Sequence, residues 1–86
     1  MTILIDPPMV PWRNRLWSHL VSDASYDELH EFASALGVPE RGFDRDHYDI
    51  PEEYFDAAIA AGATVVSSKE LVRRLIASGL RQRKKR

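Results

Sequence analysis

The stretch Gly42-Phe43-Asp44-Arg45-Asp46-His47-Tyr48-Asp49 gathers three carboxylates, a guanidinium, an imidazole and a phenol. Neither a core strand nor an ordinary solvated turn requires that composition, so it marks a candidate site. His47 stands between Asp46 and Asp49, whose negative charge favours its imidazolium and makes it a candidate general acid or base. A second imidazole, His19, is followed closely by Asp23 in a Ser22-Asp23-Ala24 turn. His47, His19 and Asp23 are therefore the candidate catalytic residues. Histidine with carboxylate is also a donor set for a divalent metal, and His19, Asp23, His47 and Asp49, brought from separate loops, could close on one ion. Arg41 and Arg45 present planar forks that match phosphate or carboxylate. Asp6, Asp46 and Trp17 complete the candidate ligand-binding set, and together these residues outline a phosphoester site.

The same residues also have an ordinary structural account. Asp49 has the position of a helix cap, Asp44 or Asp46 can pair with Arg45 or Arg41 at the surface, and His47 can bond a main-chain carbonyl. No His-Glu-x-x-His pair, calcium loop or zinc-finger spacing is present. The four glycines, Gly37, Gly42, Gly62 and Gly79, are dispersed, which argues against a phosphate loop or a dinucleotide fingerprint. The absence of cysteine excludes disulfides, thiolate nucleophiles and Cys-ligated zinc or iron–sulfur sites.

The elements that must hold these groups are short. Thr2-Ile3-Leu4-Ile5 reads as a central strand stopped by Asp6-Pro7-Pro8, because proline cannot donate to a ladder. That places Asp6 at the carboxyl edge of a sheet, where open α/β sheets bind ligands, or simply at the start of a turn. Met9 to Arg15 has no period and reads as an ordered loop in which Trp12 lies among basic groups, able to hold a phosphate or base or merely to cover a small core. Leu16 to Ser22 suits a second strand with Trp17, His19 and Val21 on one side. Ser25-Tyr26-Asp27-Glu28 is a capping box opening a helix whose Leu29, Phe32, Ala33 and Leu36 face a core, with Gly37 as its cap. Arg41 to Tyr48 is expected as an irregular strand or loop, and a second helix is expected to begin at Asp49-Ile50-Pro51-Glu52. Ala63-Thr64-Val65-Val66 reads as a strand, and Ser67 with Glu70 opens a third helix containing Leu71, Val72, Leu75 and Ile76. His30 borders the apolar stripe of the first helix, the usual place of a half-buried structural histidine.

Alternation of helices with short strands predicts an α/β fold: a small, mainly parallel sheet of three to four strands covered by three helices. The chain of 86 residues suffices for one domain, expected over residues 1–80, with a basic tail at 81–86. Residues 1–80 hold seven of the twelve basic side chains and all thirteen acidic ones, so an acidic body carries a cationic end. The tail is a candidate nucleic-acid contact, or a solvated run that complements the negative end of the third helix. No leader or spanning segment is recognisable, so a cytoplasmic location without membrane association is expected. A chain this short also leaves room for a homodimer.

Leu16-Trp17-Ser18-His19-Leu20-Val21-Ser22-Asp23, Glu28-Leu29-His30-Glu31-Phe32-Ala33, Leu36-Gly37 and His47-Tyr48-Asp49 together resemble the small bacterial and phage domain called domain of unknown function 4031. The likeness extends to about Leu80. It implies that His19, Asp23, His30 and His47-Tyr48-Asp49 belong to a shared pattern and converge; the family name supplies no activity. The expectation is a His/Asp/Arg site that binds a small anionic, phosphate-bearing ligand or a divalent metal, with phosphoester hydrolysis as a candidate reaction. The alternative is a non-catalytic module that engages protein or nucleic acid through Trp12, Trp17 and the tail.

Overall fold

In the computed structural model, residues 2–82 are described. Six strands and three helices follow one another: β1 (Ile3–Ile5), β2 (Val10–Trp12), β3 (Arg15–Ser22), α1 (Tyr26–Leu36), β4 (Phe43–Asp44), β5 (His47–Pro51), α2 (Phe55–Ala60), β6 (Thr64–Val65) and α3 (Ser68–Ala77). The sheet runs β4-β5-β3-β1-β6, and β2 also pairs with β3. Among the described residues only the β1–β6 pair is parallel; β1–β3, β2–β3, β3–β5 and β4–β5 are all antiparallel. The expected mainly parallel sheet of three to four strands is therefore wrong in both direction and number. Two-residue turns join β2 to β3 and β4 to β5, and such turns can connect only antiparallel neighbours.

The eight-residue β3 organises the sheet, because it pairs with β1, β2 and β5. β1 and β2 lie in tandem along one edge of it: Ile5 pairs with Leu20 and Val10 with Trp17. Between these pairs Asp6 to Met9 face only Ser18 and His19. Pro7 and Pro8 have no amide hydrogens for the ladder, so the chain bulges there. The segment read as a loop around Trp12 is thus half of a hairpin, turned by Arg13 (φ 52°) and Asn14 (φ 63°).

Alternation along the strands sorts the side chains onto two faces. On one face Ile3, Ile5, Leu20, Tyr48 and Ile50 form the larger core with Leu29 and Ala33 of α1 and Ala58 of α2. On the other, Leu4 and Val21 pack beneath Leu71 and Leu75 of α3. His19 shares the face of Val21, Asp49 is the cross-strand partner of His19, and His47 lies one pleat from Asp49. α3 covers one part of this second face and leaves those three side chains beside it.

Helix boundaries follow local chemistry, with two corrections. Ser25 caps α1 by accepting from the Glu28 amide, and Gly37 closes it at φ 90°. The Glu28 carboxylate, however, accepts from the Ser22 hydroxyl at 2.5 Å instead of reaching back to the cap. The second helix does not begin at Asp49: residues 47–51 are strand β5, followed by a 3-10 turn at Glu52–Tyr54, and α2 starts only at Phe55. Pairing of Trp17, Ser18, His19 and Leu20 with Pro51, Ile50, Asp49 and Tyr48 outweighs the local helix signal. Among the described residues, no helix is long and apolar enough to cross a membrane.

Candidate functional site

The site grows from the bulge that interrupts the β1–β2 edge. Asp6 is almost wholly buried there and serves as a substitute for missing strand hydrogen bonds. Its amide donates to the His19 carbonyl at 3.2 Å, and one carboxylate oxygen accepts from the His19 amide at 2.6 Å. The other oxygen meets His19 Nδ1 at 2.8 Å and accepts from the Ser68 hydroxyl at 2.7 Å. The bulge thereby fixes both the main chain and the ring of His19. Ser68 has no counterpart among the expected site residues; its signal was the tandem Ser67-Ser68, since only one of two serines can cap α3 and Ser67 does so.

His47 is held the same way from the β4–β5 turn. Its Nδ1 lies 2.8 Å from the buried Asp46 carboxylate, and its Nε2 lies 3.2 Å from Asp49. The other Asp46 oxygen accepts from the Gln82 amide at 2.8 Å, with Arg81 at 3.7 Å. The rings of His19 and His47 stand edge to face, 5.3 Å between centroids. One ligand atom from each of His19, His47 and Asp49 can be chosen so that all lie within 4.8 Å of one another. A hollow of about 240 Å³ opens over His19, His47, Asp6 and Ser68, with Arg81 at its side.

The charges reinforce this order. Hydrogen bonding to Asp49 is the main cause that raises the His47 imidazolium to about 9, against desolvation and with further help from Asp46. His19 is raised chiefly by its bond to Asp6, again against desolvation and against repulsion from His47. Burial works to raise the Asp6 carboxyl, but the His19 ring, the His19 amide and Ser68 together hold it below its ordinary value. Asp46 is likewise lowered: burial opposes, and His47, the Gln82 amide and Arg81 prevail.

A family model described as "Protein of unknown function (DUF4031)" matches residues 3–78. The chain belongs to the DUF4031 family. Comparison with curated proteins and with solved structures finds no significant match.

Within this DUF4031 domain the expected site residues fall into separate groups. Asp6, His19, Asp46, His47 and Asp49 come together. Asp23 does not join them: it lies four residues beyond His19, about 13 Å along an extended chain, where it accepts from the Thr2 amide at 2.8 Å and meets Arg74 at 3.4 Å. Arg45, exposed at the β4–β5 turn and 3.7 Å from Asp44, borders a shallow hollow with Asp46, His47 and Arg81. Arg41 and Trp17 border a second hollow, which also reaches Asp49. His30 is on the opposite side of the sheet, where its Nδ1 lies 2.6 Å from the Tyr48 hydroxyl. The convergence implied by the family pattern thus divides between the two faces. Of the tail, Arg81 and Gln82 lie against Asp46, and residues 83–86, which carry most of its charge, lie outside the described residues.

Proposed function

We propose that this DUF4031 domain binds a divalent transition metal through His19, His47 and Asp49 and uses it to hydrolyse a phosphoester. The observation that carries this reading is that both imidazoles are buttressed at Nδ1 by buried carboxylates, Asp6 and Asp46. A carboxylate behind a ligating histidine fixes the ring and raises its basicity, leaving Nε2 as donor. Donors about 2.1 Å from a tetrahedral ion stand about 3.4 Å apart. His47 and Asp49 are already 3.2 Å apart and a ligand atom of His19 lies within 4.8 Å of theirs, so approach of the His19 ring would close the set. Two imidazoles with one carboxylate favour zinc-like ions over magnesium or calcium, which prefer all-oxygen sites. Three protein ligands leave a position for a water that the ion would activate, with Arg81 at the side of the hollow for a phosphoryl oxygen.

Zinc titrated during thermal melts tests the first step. A native-state ligand at about one hundred times its Kd adds about 2.7 kcal/mol, on the order of 10 °C for a domain this small. His19→Ala and His47→Ala should abolish the shift, Asp23→Ala should retain it, and magnesium should give none. Metal must displace the His47 proton, so affinity should rise with pH up to about 9. A zinc response that survives both histidine substitutions overturns the assignment. Hydrolysis of bis(4-nitrophenyl) phosphate by the zinc-loaded protein, lost in the same variants, tests the second step.

A further inference from the structure

Beside the histidine cluster, the β2–β3 hairpin carries a feature that metal binding leaves unused. Trp12 is 56% exposed, although indole is among the side chains that gain most from burial. It is nonetheless held in place. Its ring lies 5.3 Å from that of Trp17, whose Nε1 donates to the Trp12 carbonyl at 2.8 Å. The Arg13 guanidinium sits over the Trp12 ring at 4.6 Å. A hollow of about 580 Å³ is lined by Trp12, Trp17, Arg13 and Arg41, and Asp49 forms part of its wall. Trp17 and His19 are successive residues on one face of β3, one pleat repeat or about 6.8 Å apart. Among the described residues neither Arg13 nor Arg41 has a carboxylate within ion-pairing distance.

We infer that this hollow binds one nucleotide unit, with the base stacked on the Arg13 guanidinium that Trp12 supports and its phosphate held by Arg41 and directed toward Asp49. Fixed indole and guanidinium planes offer a base a stacking surface without sequence preference. The two unpaired guanidiniums supply charge complementarity for phosphate. The volume is within the range of sites that enclose a small ligand. This inference rests on the metal reading for the placement of the phosphoester and names its substrate class: a phosphoester linked to a nucleobase. A free nucleotide and a single-stranded nucleic acid share that chemistry.

Quenching of tryptophan fluorescence tests the binding without metal, in the presence of EDTA. The probes are thymidine, inorganic phosphate, thymidine monophosphate and single-stranded oligothymidylate. The monophosphate or the oligomer should bind more tightly than thymidine or phosphate alone. Tighter binding of the oligomer identifies a polymer as the source, and equal binding identifies the free nucleotide. Trp12→Ala should weaken binding by about tenfold to a hundredfold, the scale of one stacked base, and Trp12→Phe should restore part of it. Arg41→Ala should weaken binding and reduce its salt dependence. Trp12 lies outside the histidine cluster, so its variants should keep the wild-type zinc response. Absence of binding by both nucleotide probes, or unchanged affinity in Trp12→Ala, overturns the inference. A zinc response retained beside that failure confines it to the hollow; nucleotide binding without a zinc response instead removes the metal reading.

Discussion

Asp6 shows how one side chain can serve strand architecture and site chemistry together. The bulge at Pro7 and Pro8 interrupts the ladder along the edge of β3, and the Asp6 carboxylate accepts from the His19 amide in place of a strand carbonyl while orienting the His19 ring. Asp6→Asn preserves an acceptor for the amide but removes the charge, so the His19 imidazolium should titrate lower, back toward its ordinary 6.5. Histidine NMR titration of wild type and variant measures this, and an unchanged midpoint would refute the Asp6 role. Ser18 makes the opposite case. Its hydroxyl is buried against the larger core and has no hydrogen-bond partner among the described residues. An unsatisfied buried hydroxyl costs about 1–3 kcal/mol, so Ser18→Ala should leave stability unchanged or raise it by about 1 kcal/mol in urea denaturation. The chemistry of His19, His47 and Asp49 was legible from residue types alone, whereas Ser68 and the misplaced Asp23 were not. Partnership across the chain depends on which face a side chain occupies, and spacing within one segment does not reveal it.

The two hairpins decide the direction of the sheet. The helix signals of α1 and α3 were readable because Ser25 and Ser67 satisfy amides three residues away, and their apolar residues recur at helical spacing. The β2–β3 turn was hidden by its sequence. Left-handed backbone at both turn positions ordinarily selects Asn-Gly, yet the chain carries Arg13-Asn14 there. An L-residue in that conformation costs about 1–2 kcal/mol relative to glycine. Replacing the pair by Asn-Gly should stabilise the domain by about 1 kcal/mol in the same assay; a loss of stability would show that Arg13 over Trp12 outweighs turn strain. Asp49 belongs to this scale as well. Its capping-box spacing with Glu52 is real, but β5 pairing extends through Pro51 and turns Asp49 toward His19.

Across the whole molecule, the charged pairs predict a pH window for stability. Asp6 and Asp46 have folded values below their ordinary 3.8, so their contribution is present above that pH and is lost as pH falls. His19 and His47 have folded values above 6.5, so theirs is complete below 6.5 and is lost as pH rises, for His47 through about 9. Metal-free stability should therefore peak between 3.8 and 6.5. His47→Gln should flatten the alkaline decline, and thermal melts across pH would contradict the pairing if the wild type gained stability from 6.5 to 9. The amino-acid sequence by itself determined the first and third helices, the apolar first strand, the acidic body and the residue types able to do chemistry, because caps, periodicity and charge act over a few residues. Only tertiary structure decided that β3 joins β1, β2 and β5, that α3 leaves part of one face uncovered, and that two distant histidines meet there. Strand register is chosen by burial of both faces at once, and that choice involves the whole chain.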